Sequence, residues 1–463
     1  MTKSDPVAES EAALHVMIVG AGLGGVMLAI LLERLNISYT LFERATEIKP
    51  LGSAMVFGAN ILPVFEQLGL LEEVKKISLP CLSMDIYNSN IEKVASVNVQ
   101  KYKERPDMHN LMLSQVPPEK ILMKKRVLSV EQDEQGVMIR IADGTTYHGD
   151  VLVGADGAYS GVRQSLFKLM EKKDMLPEGD KSSLSLGYLS MVGVSEPQDP
   201  EKYPVLKEST SNFSRVIGTA APYSNNITTN PNFTSAHKYN TVTVPGNRIC
   251  WGMTVQLDSD KASKEMFKNS EWGPEAIEDM ISEIRDFPSH FGGVIGDLID
   301  ATPRDMISRV FLEEKMFETW YHGRTVLVGD GATNAMQDSV ILANCLYELK
   351  SRSSADITEA FKSYRDQRYP QAKYQMDKSK NLGRVLYGQT WPERLLRFVA
   401  FNLIPQRMQE EEFLKDTVYR PILSFMEPPE NRGSGPVLPQ RPSEKYEAEK
   451  ALRNAVVEVV PDL

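Results

Sequence analysis

The run "RTVLVGDGATNAMQDSVILANCLYEL", Arg324 to Leu349, decides how the chain folds. Thr325 to Val328 is apolar and β-branched, the composition of a buried strand, and that strand stops at Gly329-Asp330. From about Ala332 the pattern changes, with Met336, Val340, Ala343 and Leu346 recurring at helical spacing. Gly331 alone separates the two elements. An acidic residue therefore stands at the carboxyl end of a strand, with almost no loop before a helix.

The N-terminal stretch "HVMIVGAGLGGVMLAILLERLNISYTLFER", His15 to Arg44, reads strand, Gly-rich turn, helix, strand. Gly20 allows the tight turn, Gly22 lets a pyrophosphate approach the backbone, and Gly25 lets helix pack on strand. The helix N-terminus offers free N–H groups and a positive dipole end to phosphates. Glu43 follows Gly25 by 18 residues, where a carboxylate accepts from ribose hydroxyls and favours an unphosphorylated adenosine ribose. A bare glycine pattern also fits a merely tight turn. Strand, helix and Glu43 together favour a dinucleotide site, with Arg44 beside it. A third strand-to-helix junction, "DVLVGADGAYSGVRQSL" from Asp150 to Leu166, places Asp156, Gly157, Ser160 and Arg163 along a turn and the helix beyond it. Taken alone, Asp156-Gly157 reads equally as an ordinary turn.

Other segments complete the outline. Strands fill the region from Pro117 to Gly157, with turns near Glu134-Gln135-Gly136 and at Asp143-Gly144. Lys181 to Leu257 reads mostly as strand, and Pro274 opens a helix from Glu275 to Phe287. A long helix begins near Asp356, and "PPENRGSGPVLPQRPS" is a Pro/Gly-rich linker. "WPERLLRFVAFNLIP", Trp391 to Pro405, has two readings: an amphipathic helix on a membrane surface, or a helix packed over the neighbouring domain.

Composition narrows the function. A net charge of -10 and pI near 5.4 argue against a nucleic-acid partner. Cys81, Cys250 and Cys345 are few and widely separated, as in a reducing compartment. The polar, acidic N-terminus does not read as a signal peptide, and no apolar run reaches membrane-spanning length. A cytoplasmic location is expected, with peripheral membrane contact under one reading of Trp391 to Pro405. The 6 histidines lack metal-ligand spacing, no CxxC occurs, and "GAYSGVR" does not form a nucleophile elbow, so no metal is expected and no catalytic acid, base or nucleophile is named.

Taken in order, the three motifs resemble those of the group A flavin monooxygenases, and within them fungal FAD-dependent epoxidases and monooxygenases of the paxilline-pathway type. The resemblance covers roughly Val16 to Pro370. It implies that Gly20, Gly22, Gly25, Glu43 and Arg44 bind the ADP half of FAD. Asp156, Gly157, Ser160 and Arg163 match the Asp-Gly motif near the pyrophosphate, Arg105 in "RPDMHNLML" matches a flavin-contacting arginine, and Asp330 matches the acceptor for a ribityl hydroxyl. Gly331 and Ala332 open a helix whose N-terminus faces the flavin, and Tyr364 and Arg368 in "YRDQRYP" also fit.

The implied fold is α/β: an FAD-binding, Rossmann-like domain of the glutathione-reductase type, interrupted by a mixed-sheet substrate domain and followed by C-terminal helices. Expected boundaries are a flexible 1–13, an FAD domain from 14–80, 105–170 and 320–385, a substrate domain from 81–104 and 171–319, a helical segment 386–426, and a linker and tail 427–463. No second Gly-rich fingerprint exists for NAD(P)H, so it is expected as a transient co-substrate. The implied reaction is hydroxylation or epoxidation, through a flavin hydroperoxide, of an organic substrate with O2, isoprenoid and aromatic compounds being the candidates. Tyr188, Met191, Trp251 and Met253 are the expected substrate face.

Two departures from the family pattern leave an alternative open. The family has a loop of about ten residues between the Gly-Asp motif and the helix, a length typical of functional loops; here Asp330 is nearly joined to the helix. "NVQKYKERPD" before Arg105 lacks the family's apolar strand. The alternative is a degraded or alternatively spliced member with impaired FAD binding and no turnover. Oligomeric state and the choice of NADH or NADPH are not encoded in any motif.

Overall fold

The structure is a computed structural model. It describes residues 13–48, 54–88, 90–104, 107–182, 186–217, 238–256, 278, 281–282, 284–313, 315–329, 331–387, 391–430 and 435–459. Arg105 and Asp330, and most of the helix expected from Glu275, lie outside the described residues.

The first sheet has six strands, in the order Tyr321–His322, Thr325–Leu327, Val151–Gly154, His15–Val19, Ser38–Phe42, Ile121–Leu122. It is parallel from Thr325–Leu327 to Ile121–Leu122, with Tyr321–His322 antiparallel at its edge. Its central strands are covered on both sides, which is why Val16–Val19 and Val151–Val153 are continuous apolar runs. Parallel pairing brings the carboxyl ends of four strands to one edge, so Gly20, Glu43, Ala155 and Val328 emerge together. Helix Leu23–Arg34, buried from Gly24 to Leu32, packs against helix Ala332–Tyr347. Met336, Val340, Ala343 and Leu346 are all buried, as their spacing predicts.

A second sheet of eight strands runs Ser308–Glu313, Leu186–Val194, Arg248–Gln256, Lys238–Val244, Phe213–Val216, Ser78–Tyr87, Lys93–Glu104, Met55–Phe57. The stretch "NVQKYKERPD" enters from the strand Lys93–Glu104, which is polar toward its end and pairs along its length with Ser78–Tyr87 and at Tyr102 to Glu104 with Met55–Phe57. The expected substrate face needs a correction. Met191, Trp251 and Met253 point to one side, where they are buried with Ile281, Ile284, Ile295 and Leu298. A helical layer fills that side. Tyr188 lies on the opposite face, since strand side chains alternate, and its hydroxyl is 3.2 Å from where a Cβ on Gly383 would stand.

A small antiparallel sheet, Val127–Gln132, Val137–Ile141 and Thr146–Gly149, has its turns where Gly136 and Asp143-Gly144 place them. The C-terminal part comprises helices Ser354–Tyr387, Trp391–Asn402, Gln406–Lys415 and Glu444–Val459. Between the last two, side-chain amides strap the chain to the first domain. Gln67 exchanges bonds with the Leu423 backbone (3.0 and 2.8 Å), and Asn344 bonds the Ile422 carbonyl (2.9 Å) and the Ser424 N–H (3.0 Å).

Candidate functional site

The carboxyl edge of the parallel sheet opens into a cleft of about 480 Å³ lined by Gly20, Gly22, Glu43, Arg44, Asp156 and Gly157. Six separately chosen positions from three strand ends thus meet in one place. Gly20 has φ +105, and a Cβ there would stand 2.4 Å from the Ala155 carbonyl oxygen. A Cβ on Gly25 would fall 1.9 Å from the Gly20 oxygen, so the turn closes on its own helix. On Gly22 a Cβ would meet nothing within 4 Å. The backbone at Gly22 is therefore open to a ligand, while its neighbours are tightly enclosed.

Glu43 is already organised. Its Oε2 accepts from the Ala21 N–H (2.9 Å) and its Oε1 from the Ala45 N–H (2.8 Å), which fixes the carboxylate at the cleft wall. Each oxygen retains lone-pair capacity for a sugar hydroxyl. Lys125 and Arg126, in a short connection, and Val127 and Leu128, at the start of the next strand, also line the cleft and were missed from sequence, because this stretch carries no motif.

Asp156 serves the helix that follows it. Its Oδ1 accepts from the Ser160 hydroxyl (2.5 Å) and its Oδ2 from the Gly161 and Val162 N–H groups (2.7 and 3.2 Å), while Ser160 Oγ accepts from the Arg163 N–H (2.9 Å). This satisfies the otherwise orphaned donors of helix Gly161–Glu171. Arg163 does not line the cleft. Its guanidinium donates to the Ala158 carbonyl (2.5 Å) and lies 4.4 Å from the centre of the Phe317 ring.

At the other end of the edge, the strand Thr325–Leu327 is held by a buried ion pair. Asp338 Oδ2 accepts from the Gly329 N–H (2.8 Å), and Asp338 Oδ1 meets Arg368 Nε at 2.6 Å with both side chains essentially unexposed. Burial opposes the charge on Arg368, but Asp338 and Tyr419 together outweigh it, and the net pKa lies above the ordinary value. The Tyr364 hydroxyl donates to the Leu327 carbonyl (3.0 Å), and burial, then Asp338, push its pKa far up, so it remains a phenol. Gly331, with φ +88, precedes Ala332 at the start of the next helix. A charged Asp338 in the middle of a helix that is buried from Ala335 to Ala343 was the unused sequence signal for this clamp.

The open backbone at Gly22, the anchored carboxylate of Glu43 and a helix N-terminus fit the ADP part of a flavin dinucleotide. Residues 13–225 match the family described as FAD binding domain. An FAD-dependent monooxygenase of Penicillium ochrochloron, ptmM, is 27% identical over 388 residues, spanning 77% of this chain and 85% of that protein. The chain is similar to FAD-dependent monooxygenases along most of its length. A further relative, the FAD-dependent monooxygenase paxM of Penicillium paxilli, is 27% identical over 393 residues, 78% of this chain and 76% of that protein. Among solved structures, Klebsiella pneumoniae HpxO complexed with FAD and uric acid has the same fold, with a TM-score of 0.66 and 18% identity over 88% of this chain and 97% of that one. Among the described residues, no group of His, Cys, Asp and Glu is arranged to hold a metal, and no helix is long and apolar enough to cross a membrane.

Proposed function

We propose that this monooxygenase takes its electrons from NAD(P)H and transfers one atom of O2 to a small organic substrate, by hydroxylation or epoxidation, with isoprenoid and aromatic compounds as the substrate classes. NAD(P)H, a proton, O2 and substrate become NAD(P)+, water and oxygenated product. FAD, when bound, supplies hydride acceptance and oxygen activation. Gly20, Gly22, Gly25, Glu43 and Arg44 would hold its ADP half, with Asp156 and Gly157 bordering the phosphates. Arg105, Asp330, Gly331 and Ala332 would serve the flavin end. The eight-stranded sheet, built mainly from 81–104 and 171–319, would form the substrate domain.

The observation that carries this reading is the cleft at the Gly20 turn, where the residues for a dinucleotide converge on a fold shared with FAD-complexed enzymes. The same convergence counts against a degraded chain, as does a match that runs along 77% of the sequence. The test is aerobic NAD(P)H oxidation by the purified, FAD-loaded protein across a panel of isoprenoid and aromatic compounds. Stimulated oxidation and a product heavier by one oxygen are expected. If every compound leaves only hydrogen peroxide, the oxygen-transfer reading falls.

A specific observation also favours peripheral contact with a membrane. Among the described residues, Trp391 (75% exposed), Phe398 (56%) and Leu403 (63%) give the helix Trp391–Asn402 and its C-terminal turn a largely exposed apolar surface. Amphipathic helices of this kind bury that surface at the headgroup boundary. Cosedimentation with anionic lipid vesicles, lost in Phe398→Ser, checks it; equal sedimentation of both proteins removes the helix from the reading.

A further inference from the structure

His109 stands on the short helix Asp107–Leu113, behind the Gly20–Gly25 turn. Its Nε2–H donates to the Ala21 carbonyl at 2.7 Å. The N–H of the same Ala21 is held by Glu43 Oε2 at 2.9 Å. Ala21 is thus pinned from both of its peptide groups, by two elements that are far apart in sequence. Burial lowers the His109 pKa, against smaller upward pulls from the Ala21 bond and from Glu43. A neutral imidazole carries one ring proton, and its bond to a carbonyl places that proton on Nε2.

The Ala21 carbonyl and the Gly22 N–H belong to one peptide unit, and a trans peptide points the two in opposite directions. Holding the carbonyl toward His109 therefore turns the Gly22 N–H away from that helix. Gly22 lines the cleft, with open space where a Cβ would be; His109 does not line it. We propose that His109 is a positioning residue for the cofactor's pyrophosphate, aiming the Gly22 N–H into the cleft from the rear of the turn. The proposal rests on the cleft being the ADP site. It adds a histidine that touches no phosphate and belongs to none of the three sequence motifs.

The test compares His109→Leu, which removes the donor, with His109→Gln, which keeps a side-chain N–H of similar reach. Dissociation constants for ADP and for FAD are measured by titration, beside the melting temperature of the FAD-free protein. His109→Leu is expected to weaken both ligands about tenfold, the scale of one lost hydrogen bond that orders a site. His109→Gln should bind both nearly as the parent does. Equal weakening in the two variants, or an FAD-free protein that melts lower while both constants stay unchanged, overturns the proposal. A parent protein that binds neither ADP nor FAD overturns the cleft assignment itself, which is a separate result.

Discussion

The two ends of the proposed cofactor site are built from different material. At the ADP end the backbone makes the site: Gly20 and Gly25 close the turn, and Glu43 is locked by main-chain N–H groups. At the proposed flavin end, side chains hold the backbone: Asp338, Arg368 and Tyr364 fix the strand end at Leu327 to Gly329. A backbone-built site tolerates many changes nearby and fails sharply at a glycine. A side-chain-built end depends on a buried charge pair in which either partner alone is a liability.

The sharpest way to break that contrast is Arg368→Met. It leaves Asp338 charged, buried and without its cation, and should cost about 3–5 kcal/mol of folding stability in urea denaturation. Replacing both members, Arg368→Met with Asp338→Leu, should recover most of the loss. FAD affinity should remain reduced, because the Gly329 N–H has then lost its acceptor. Full recovery of both quantities would mean that the pair serves packing alone. At the other end, Gly25→Ala drives a methyl group to 1.9 Å from the Gly20 carbonyl oxygen. Backbone cannot rotate away as a side chain can, so a loss of about 3 kcal/mol is expected in the same denaturation. An unchanged midpoint would show that the turn is looser than its geometry. The smallest effect is expected for Glu43→Ala, where FAD titration should show affinity falling by about 1.5–3 kcal/mol, the range of a charge-assisted hydrogen bond. Equal affinity removes Glu43 as the ribose acceptor.

The same division explains what the sequence disclosed. Gly20, Gly22, Gly25 and Glu43 are legible because a phosphate-approaching turn restricts residue type at fixed spacing. The strand-to-helix switch at Gly331 was legible from periodicity, and the hairpin at Asp143-Gly144 from turn chemistry. Strand faces were not. Leu186–Val194 and Arg248–Gln256 mix apolar residues on both faces, so alternation could not tell which side meets the helical layer, and Met191, Trp251 and Met253 were assigned to the wrong one. Lys93–Glu104 had no clear strand signature for a related reason: Val94 is 42% exposed, and a strand open to solvent need not be apolar. His109 and Asp338 act through backbone groups of other elements, a relation that has no signature in local spacing.

The long helix Ser354–Tyr387 carries Arg368 near its middle and Gly383 near its end, where it meets Tyr188 of the eight-stranded sheet. Pro370 lies inside it, just past Arg368. A proline there deletes one rung of the hydrogen-bond ladder and crowds the carbonyl four residues back, so bending concentrates at that point. From Pro370 to Gly383 the helix forms an arm of about 20 Å, and a tilt of about 5° at the proline would swing its tip by about 2 Å. The inner segment is bolted to the strand end at Gly329, and the outer segment leans on the other sheet. Flexing of one sheet against the other would then pivot at Pro370 and leave the bolted end still.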